Sequence, residues 1–208
     1  MNGDEMNVVV LLLECILFQI DADSIHGRMC DARDGHIYKT IVMNDAVWMA
    51  ENLSYVMPHS KCPMNDSSSC SEFGRIYDWH SAMNACPNGW HLPSIDEWKK
   101  LSLKFSPSEL KSKKYWREDC GQTPGTDRYG FSALPVGLML RCDCNGDSMH
   151  LYPMIGCLAQ FWTSKDSLPV IDKYGVYEIA FFVQIWFDEL TLRKGNRDRL
   201  FSIRCIKN

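Results

Sequence analysis

The chain has 208 residues, 46% hydrophobic and 23% charged, the proportions of one folded domain with at most a short appendage. Lys and Arg number 22 against 26 Asp and Glu, a net −4 with no dense basic run, which argues against a protein that grips nucleic acid by neutralising phosphates. The 10 cysteines, even in number and dispersed, suit disulfides in an oxidising compartment better than a reduced cytosolic enzyme.

Val8 to Ile20 reads VVVLLLECILFQI, the one strongly apolar run. At helical rise it covers about 20 Å, short of a hydrocarbon core of about 30 Å, so no transmembrane span is expected. Its length suits the apolar part of an export signal. Against that, the leading MNGDEMN is acidic, Glu14 interrupts the run, and Cys15 follows LLE where a lipidated cysteine follows a small residue. A degenerate export signal and an ordinary buried helix or strand both remain open. Asp21 to Cys30 reads as a linker, so residues 1–30 stand apart from a domain of residues 31–208.

Within that domain Asp34-Gly35 signals a turn, and Ile37, Ile41 and Met43 are spaced for one face of a strand. Asn44-Asp45 interrupts the run before Val47 to Met49, which predicts a β-hairpin. Pro58 to Ser71 is polar and bracketed by Cys62 and Cys70, a surface loop suited to a staple; closing about nine residues contributes about 2.5 kcal/mol. Ile76, Trp79, Ala82 and Met83 recur at helical spacing and predict an amphipathic helix over Ile76 to Ala85. Pro93, Ser94 and Glu97 form the opening of a second helix with a capping box, its stripe being Ile95, Trp98 and Leu101. Ser106 to Thr126 reads as loop or short helix. Beyond Phe131 come short apolar runs separated by turn residues, the longest Val176 to Trp186 and the last Leu200 to Ile206. Helices early and strands late predict an α+β fold.

No phosphate-binding, dinucleotide, nucleophile-elbow or zincin motif occurs, and the six histidines are scattered. There is no C-x-x-C, and Cys142 and Cys144 in C-x-C pair elsewhere more readily than they bind metal. Asp143, Asn145 and Asp147 repeat the opening of a calcium loop, but Ser148 and Met154 stand where that loop needs Gly and Glu, so a polar turn around Gly146 is the plainer reading. Asp188 and Glu189 are adjacent acids; neighbours on a strand point to opposite faces, so a shared site needs a loop or bulge there, and a solvated strand end is the plainer reading. Trp48, Trp79, Trp90, Trp98 and Trp162 sit in apolar patterns and are expected in the core. Trp186 is the tryptophan left as a candidate ligand platform.

Several segments in order resemble the Fibrobacter succinogenes major paralogous domain: DARDGHIY with WMAENL (Asp31 to Tyr55), FGRIYDWHSAM (Phe73 to Met83), CPNGWHLPSIDEW (Cys86 to Trp98), GTDRYGFSALPVG (Gly125 to Gly137), FWTS (Phe161 to Ser164) and FSIRCIKN (Phe201 to Asn208). HLPSIDEWKKL is also similar to a segment of formylglycine-generating enzymes. The resemblance implies a bacterial protein, extracellular or in the cell envelope. It also implies a C-type-lectin-like fold: small twisted antiparallel sheets, two helices, long loops and disulfide staples. By that likeness Cys86 pairs with Cys205, closing about 120 residues for about 5 kcal/mol. Cys62–Cys70 is the second expected pair, while Cys15, Cys30, Cys120, Cys142, Cys144 and Cys157 stay unassigned. The chain departs from both enzyme and lectin patterns. Lys165 to Arg204 lacks the closely spaced cysteine pair of the formylglycine-generating enzymes, and the sugar-binding triplets of calcium-dependent lectins are missing.

The expected function is therefore non-enzymatic: a surface module that binds a glycan or a surface protein through loops of a stapled scaffold. Its expected face is Asp166 to Arg199, with Tyr174, Tyr177, Trp186, Asp188, Glu189 and Arg193 as the candidate ligand-binding residues. No cofactor is expected, calcium at Asp143, Asn145 and Asp147 being the alternative. A structural envelope component without a discrete ligand is the second reading, and an enzyme of the formylglycine-generating type the third.

Overall fold

A computed structural model describes residues 25–144, 147–151, 154–173 and 175–208, with residues 140–144, 147–151 and Asp172 described by backbone alone. Val8 to Ile20, Cys15, Asn145, Gly146 and Tyr174 lie outside the described residues.

The first hairpin forms as its turn chemistry predicts. Strands β2 (Ile37–Met43) and β3 (Ala46–Met49) are joined by Asn44 and Asp45 at φ of 52° and 61°. This left-handed pair matches the twist of the strands, and Asn and Asp tolerate it better than most residues. Residues read as linker are in fact strand β1 (His26–Cys30), paired antiparallel with β2 from His26↔Ile41 to Cys30↔Ile37. The chain's last strand, β10 (Ile206–Lys207), inserts between β3 and β4 (Trp90–His91), giving the order β1-β2-β3-β10-β4.

Four α-helices are present among the described residues where two were expected. Helix α1 (Ser69–Phe73) begins at the end of the Cys62–Cys70 loop and carries Cys70 in its first turn. Helix α2 (Trp79–Ala85) starts later than its periodicity suggested, because Asp78 caps it by accepting the Ser81 N–H at 2.7 Å; Ile76 is held in a bridge to Lys61 instead. Helix α3 (Ile95–Lys104) carries the expected capping box: Glu97 accepts the Ser94 N–H at 2.7 Å and Ser94 Oγ accepts the Glu97 N–H. His91 Nε2 lies 2.9 Å from Glu97, so the H-L-P-S-x-x-E segment is one hydrogen-bonded helix start. Helix α4 (Pro107–Leu110) opens with a second capping box, Ser106 and Glu109.

Strands β2 and β3 at the middle of the five-stranded sheet bury residues on both faces. Ile41↔Trp48 and Thr40↔Met49 are successive pairs, so their side chains point to opposite sides. Ile41, Met43 and Trp48 pack with Trp98 and Leu101 of α3, with Phe105 just after it, and with Phe131 and Phe161. Tyr38 and Met49 pack on the other side with Trp79, Ala82 and Ala85 of α2 and with Trp162, Phe182 and Phe201. Trp48, Trp79, Trp98 and Trp162 are core as expected, and Trp90 packs against the second cluster. Trp79 and Trp162 donate their indole N–H to the carbonyls of Thr163 and Tyr77, at 2.9 and 2.7 Å.

Strands β5 (Leu140–Cys144) and β6 (Asp147–Leu151) form a separate hairpin, and β7 (Leu158–Asp172), β8 (Gly175–Trp186) and β9 (Glu189–Asn196) form a three-stranded antiparallel sheet. The segment Phe201 to Cys205 stitches the two larger sheets together. Trp162 N–H donates to Ser202 O, Leu53 N–H to Ile203 O and Met49 N–H to Cys205 O. Arg204 in the middle is wholly buried and donates to Asn52 Oδ1 at 3.0 Å and to the carbonyls of Phe131 and Ser132, its guanidinium lying over the Phe131 ring. Burial lowers it to about 9, so it remains charged at neutral pH.

Both expected disulfides are present, Cys62–Cys70 and Cys86–Cys205, together with Cys120–Cys157, which ties the loop after α4 to the start of β7. Cys30 is disulfide-bonded as well.

Candidate functional site

The β8–β9 connection is a two-residue turn, because Trp186 pairs with Glu189 and leaves Phe187 and Asp188 between them. Phe187 has φ 51°, a conformation that costs a bulky side chain and persists only where neighbours impose it. Two neighbours do. Its ring stacks on Trp186 with centroids 5.1 Å apart and planes at 24°, and it lies against Gly121, where a β-carbon would come within 3.0 Å of the ring.

The third constraint is Asp188, whose carboxylate lies 3.7 Å from Lys111 Nζ. Lys111 exposes none of its surface, and its backbone is fixed by the N–H bond to Pro107 O and the bridge to Ala133. A β-carbon on Gly125 would sit 1.9 Å from the Lys111 carbonyl oxygen, so only glycine lets these two backbones meet. The ammonium rests over the Trp116 ring at 4.5 Å and has no hydrogen-bond acceptor. Burial pushes its pKa down, and Asp188 restores only part of the loss.

Alternation along the sheet decides which candidates meet. Pairs Trp186↔Glu189, Gln184↔Thr191 and Phe182↔Arg193 put Trp186, Gln184, Glu189, Thr191 and Arg193 on one face. Gln160 of β7 joins them, donating to Gln184 Oε1 at 3.1 Å, and Arg193 Nε donates to Thr191 Oγ1 at 3.3 Å. Trp186 remains 36% exposed and so presents ring surface to solvent. Of the sequence candidates, Trp186, Glu189 and Arg193 thus share a face made of one aromatic plate and several hydrogen-bonding groups.

The others do not join it. Asp188 turns away toward Lys111, so the two adjacent acids form no shared pair. Tyr177 lies nine residues up β8, about 30 Å from Trp186, and an odd number of residues places it on the opposite face. The expected face of loops, Asp166 to Arg199, is mostly sheet. Asp143 and Asp147 lie on paired strands with register Asp143↔Ser148 and Cys144↔Asp147, which leaves the two residues 145–146 as the connection. That is the spacing of a tight hairpin. Among the described residues no three His, Cys, Asp or Glu side chains cluster as a metal site.

A cleft of about 390 Å³ elsewhere is lined by polar groups that already have partners. Lys39 pairs with Glu51 at 3.2 Å, and Asn52 is bonded to Arg204 and to Phe73 O. The tip of β8–β9 differs because a buried donor there is unsatisfied. Lys111 escaped the sequence reading: in K-S-K-K-Y-W-R it reads as one of several solvated cations, and only Trp116 and Gly125 packing around it reveal otherwise.

Over residues 41–207 the chain matches the family model described as the Fibrobacter succinogenes major domain. No curated protein and no solved structure matches it.

Proposed function

The chain belongs to the Fibrobacter succinogenes major domain family, and from that premise we propose that it is a non-enzymatic binding module, exported or surface-held, that recognises a glycan through the sheet face around Trp186. The observation that carries this reading is the exposed Trp186 plate, stacked on Phe187 and set beside Gln184, Glu189, Thr191 and Arg193 on one rigid face. Sugars are bound by such a combination, because their C–H faces lie on aromatic rings while their hydroxyls need fixed donors and acceptors at the rim. The disulfides, Cys62–Cys70, Cys86–Cys205 and Cys120–Cys157 among them, suit an oxidising location outside the cytoplasm.

The test is a glycan array probed with the whole chain, folded oxidised, in calcium and again in chelator. Trp186→Ala is expected to abolish retention while lowering the melting temperature by only about 2–4 °C, the effect of about 1 kcal/mol on a chain of this size. A fall of more than about 10 °C makes Trp186 a core residue and removes the proposed face. Binding lost in chelator revives calcium at the β5–β6 hairpin.

One feature favours a second reading, a structural envelope component or a module for a surface protein. Leu168, Ile171 and Val176 are 84%, 76% and 66% exposed on the part of β7–β8 that runs beyond the end of β9. Apolar side chains at such a projecting ribbon suit contact with another macromolecule. A blank array with folded protein moves the assignment there.

A further inference from the structure

Lys111 has three N–H donors, no acceptor within hydrogen-bond distance and no exposed surface. Buried donors in folded proteins almost always find acceptors, because leaving one unmade costs the desolvation of the group. The nearest candidate is Asp188 at 3.7 Å, too far for a hydrogen bond, and its carboxylate is 69% exposed. Such a carboxylate loses little by turning fully into water. The buried Lys111 Nζ, held over the Trp116 ring, is left without a hydrogen-bonding partner. Asp188 sits two residues from Trp186, so the group that links Lys111 to the surface is part of the aromatic tip itself.

We propose that the tip takes a carboxylate-bearing glycan, a uronate or a sialate, whose carboxylate replaces that of Asp188 on the Lys111 ammonium while the sugar's apolar face lies on the Trp186–Phe187 pair. The exchange trades a distant, solvated anion for a close one, giving Lys111 the charge-assisted hydrogen bonds it lacks. Lys113 and Lys114, both exposed on the same segment, add attraction for an acidic sugar. Arg117 already neutralises Asp119, whereas Glu118 and Glu189 oppose the approach of anions. Selectivity therefore comes from the one buried ammonium and not from a basic surface. This inference rests on the glycan-binding reading above.

The experiment is calorimetric titration of the whole chain with trigalacturonate, its methyl ester and neutral galactotriose, and with sialyllactose against lactose. The acid form is expected to bind about tenfold more tightly than its ester or neutral counterpart, the worth of one or two charge-assisted hydrogen bonds. Preference for the galacturonate arm identifies a uronate, and preference for the sialyl arm a sialate. Lys111→Met should erase the acid preference. Asp188→Asn, which removes the competing charge while keeping the turn's shape, should tighten acid binding severalfold; this variant carries the test if Lys111→Met does not fold. Weaker acid binding by Asp188→Asn overturns the proposal, since Asp188 is then a ligand-binding group and not the group displaced. Equal binding of acid and ester overturns it too, but leaves the glycan-binding reading standing if Trp186→Ala abolishes both. Absence of any carbohydrate binding by folded protein removes both.

Discussion

Removing Cys86–Cys205, Cys120–Cys157 and Cys62–Cys70 one at a time should destabilise the protein in the order of the chain each one closes. They span sequence separations of 119, 37 and 8. Loop-closure entropy makes these bridges worth about 5, about 4 and about 2.5 kcal/mol. Cys205 is also fully buried beside Ile203 and Phe201, so its truncation adds about 1 kcal/mol of lost packing. The assay is equilibrium urea unfolding of the three double-alanine variants against the oxidised parent. With a slope of about 2 kcal/mol/M, the midpoints should fall by about 3, 2 and 1 M. A domain of this size has about 5–15 kcal/mol in total, so the Cys86 and Cys205 variant should lie close to the edge of folding. The reasoning is refuted if removing Cys62–Cys70 costs as much as removing Cys86–Cys205. That result would place the effect in local strain or packing and not in the entropy of the unfolded chain.

Lys111→Met should be neutral or stabilising by about 1 kcal/mol in thermal melts, because it removes a buried charge while its partner Asp188 is already solvated; a loss of more than about 2 kcal/mol refutes this. Glu97 is partly buried, which favours its neutral form, but the Ser94 N–H and hydroxyl and His91 outweigh this and hold its carboxyl below the ordinary 4.5. Its contribution is therefore complete above that value and is lost as pH falls through the lowered one, so Glu97→Gln should lower stability at pH 7 but flatten the acid limb of a stability–pH curve. An unchanged acid limb assigns the acid sensitivity elsewhere. Gly125→Ala should yield little folded protein in expression and circular dichroism, since a β-carbon there meets the Lys111 backbone at 1.9 Å; a normally folded variant shows that the two loops can separate at low cost.

What could be read in the sequence was chemistry confined to a few neighbouring residues. Ser94 with Glu97 announces a helix start because both partners of the capping box lie within one turn, and Asn44-Asp45 announces a reversal because both residues accept positive φ. Cys86–Cys205 became legible only through the likeness of the ordered motifs to a known family. β1 was missed because His26 and Arg28 give it a polar, edge-strand character that periodicity does not distinguish from a linker. β7 was obscured by its own irregularity, with register shifts between Trp162 and Asp166 and between Ser167 and Val170 that break the alternation. At the candidate site, Trp186 stood out because its acidic and polar neighbours are adjacent in sequence. Lys111 did not, since its burial depends on packing against residues up to Asp188 in the chain. Tyr177 shows the opposite error: closeness in sequence becomes a long distance when the intervening residues are extended.

The insertion of β10 between β3 and β4 has a consequence for how this protein is made. Trp48 and Ile206 are neighbours in the sheet, yet nearly the whole domain is synthesised between them. A nascent chain that has not reached Phe201 has nothing to place between β3 and β4 and lacks Arg204 to hold the loops around Asn52 and Ser132. Contacts of such long range also form slowly. The five-stranded sheet therefore stays incomplete until β10 has been made. Products cut short before Phe201 also lose Phe201, Ile203, Cys205 and Ile206 from the core, and should be more readily cut by proteases.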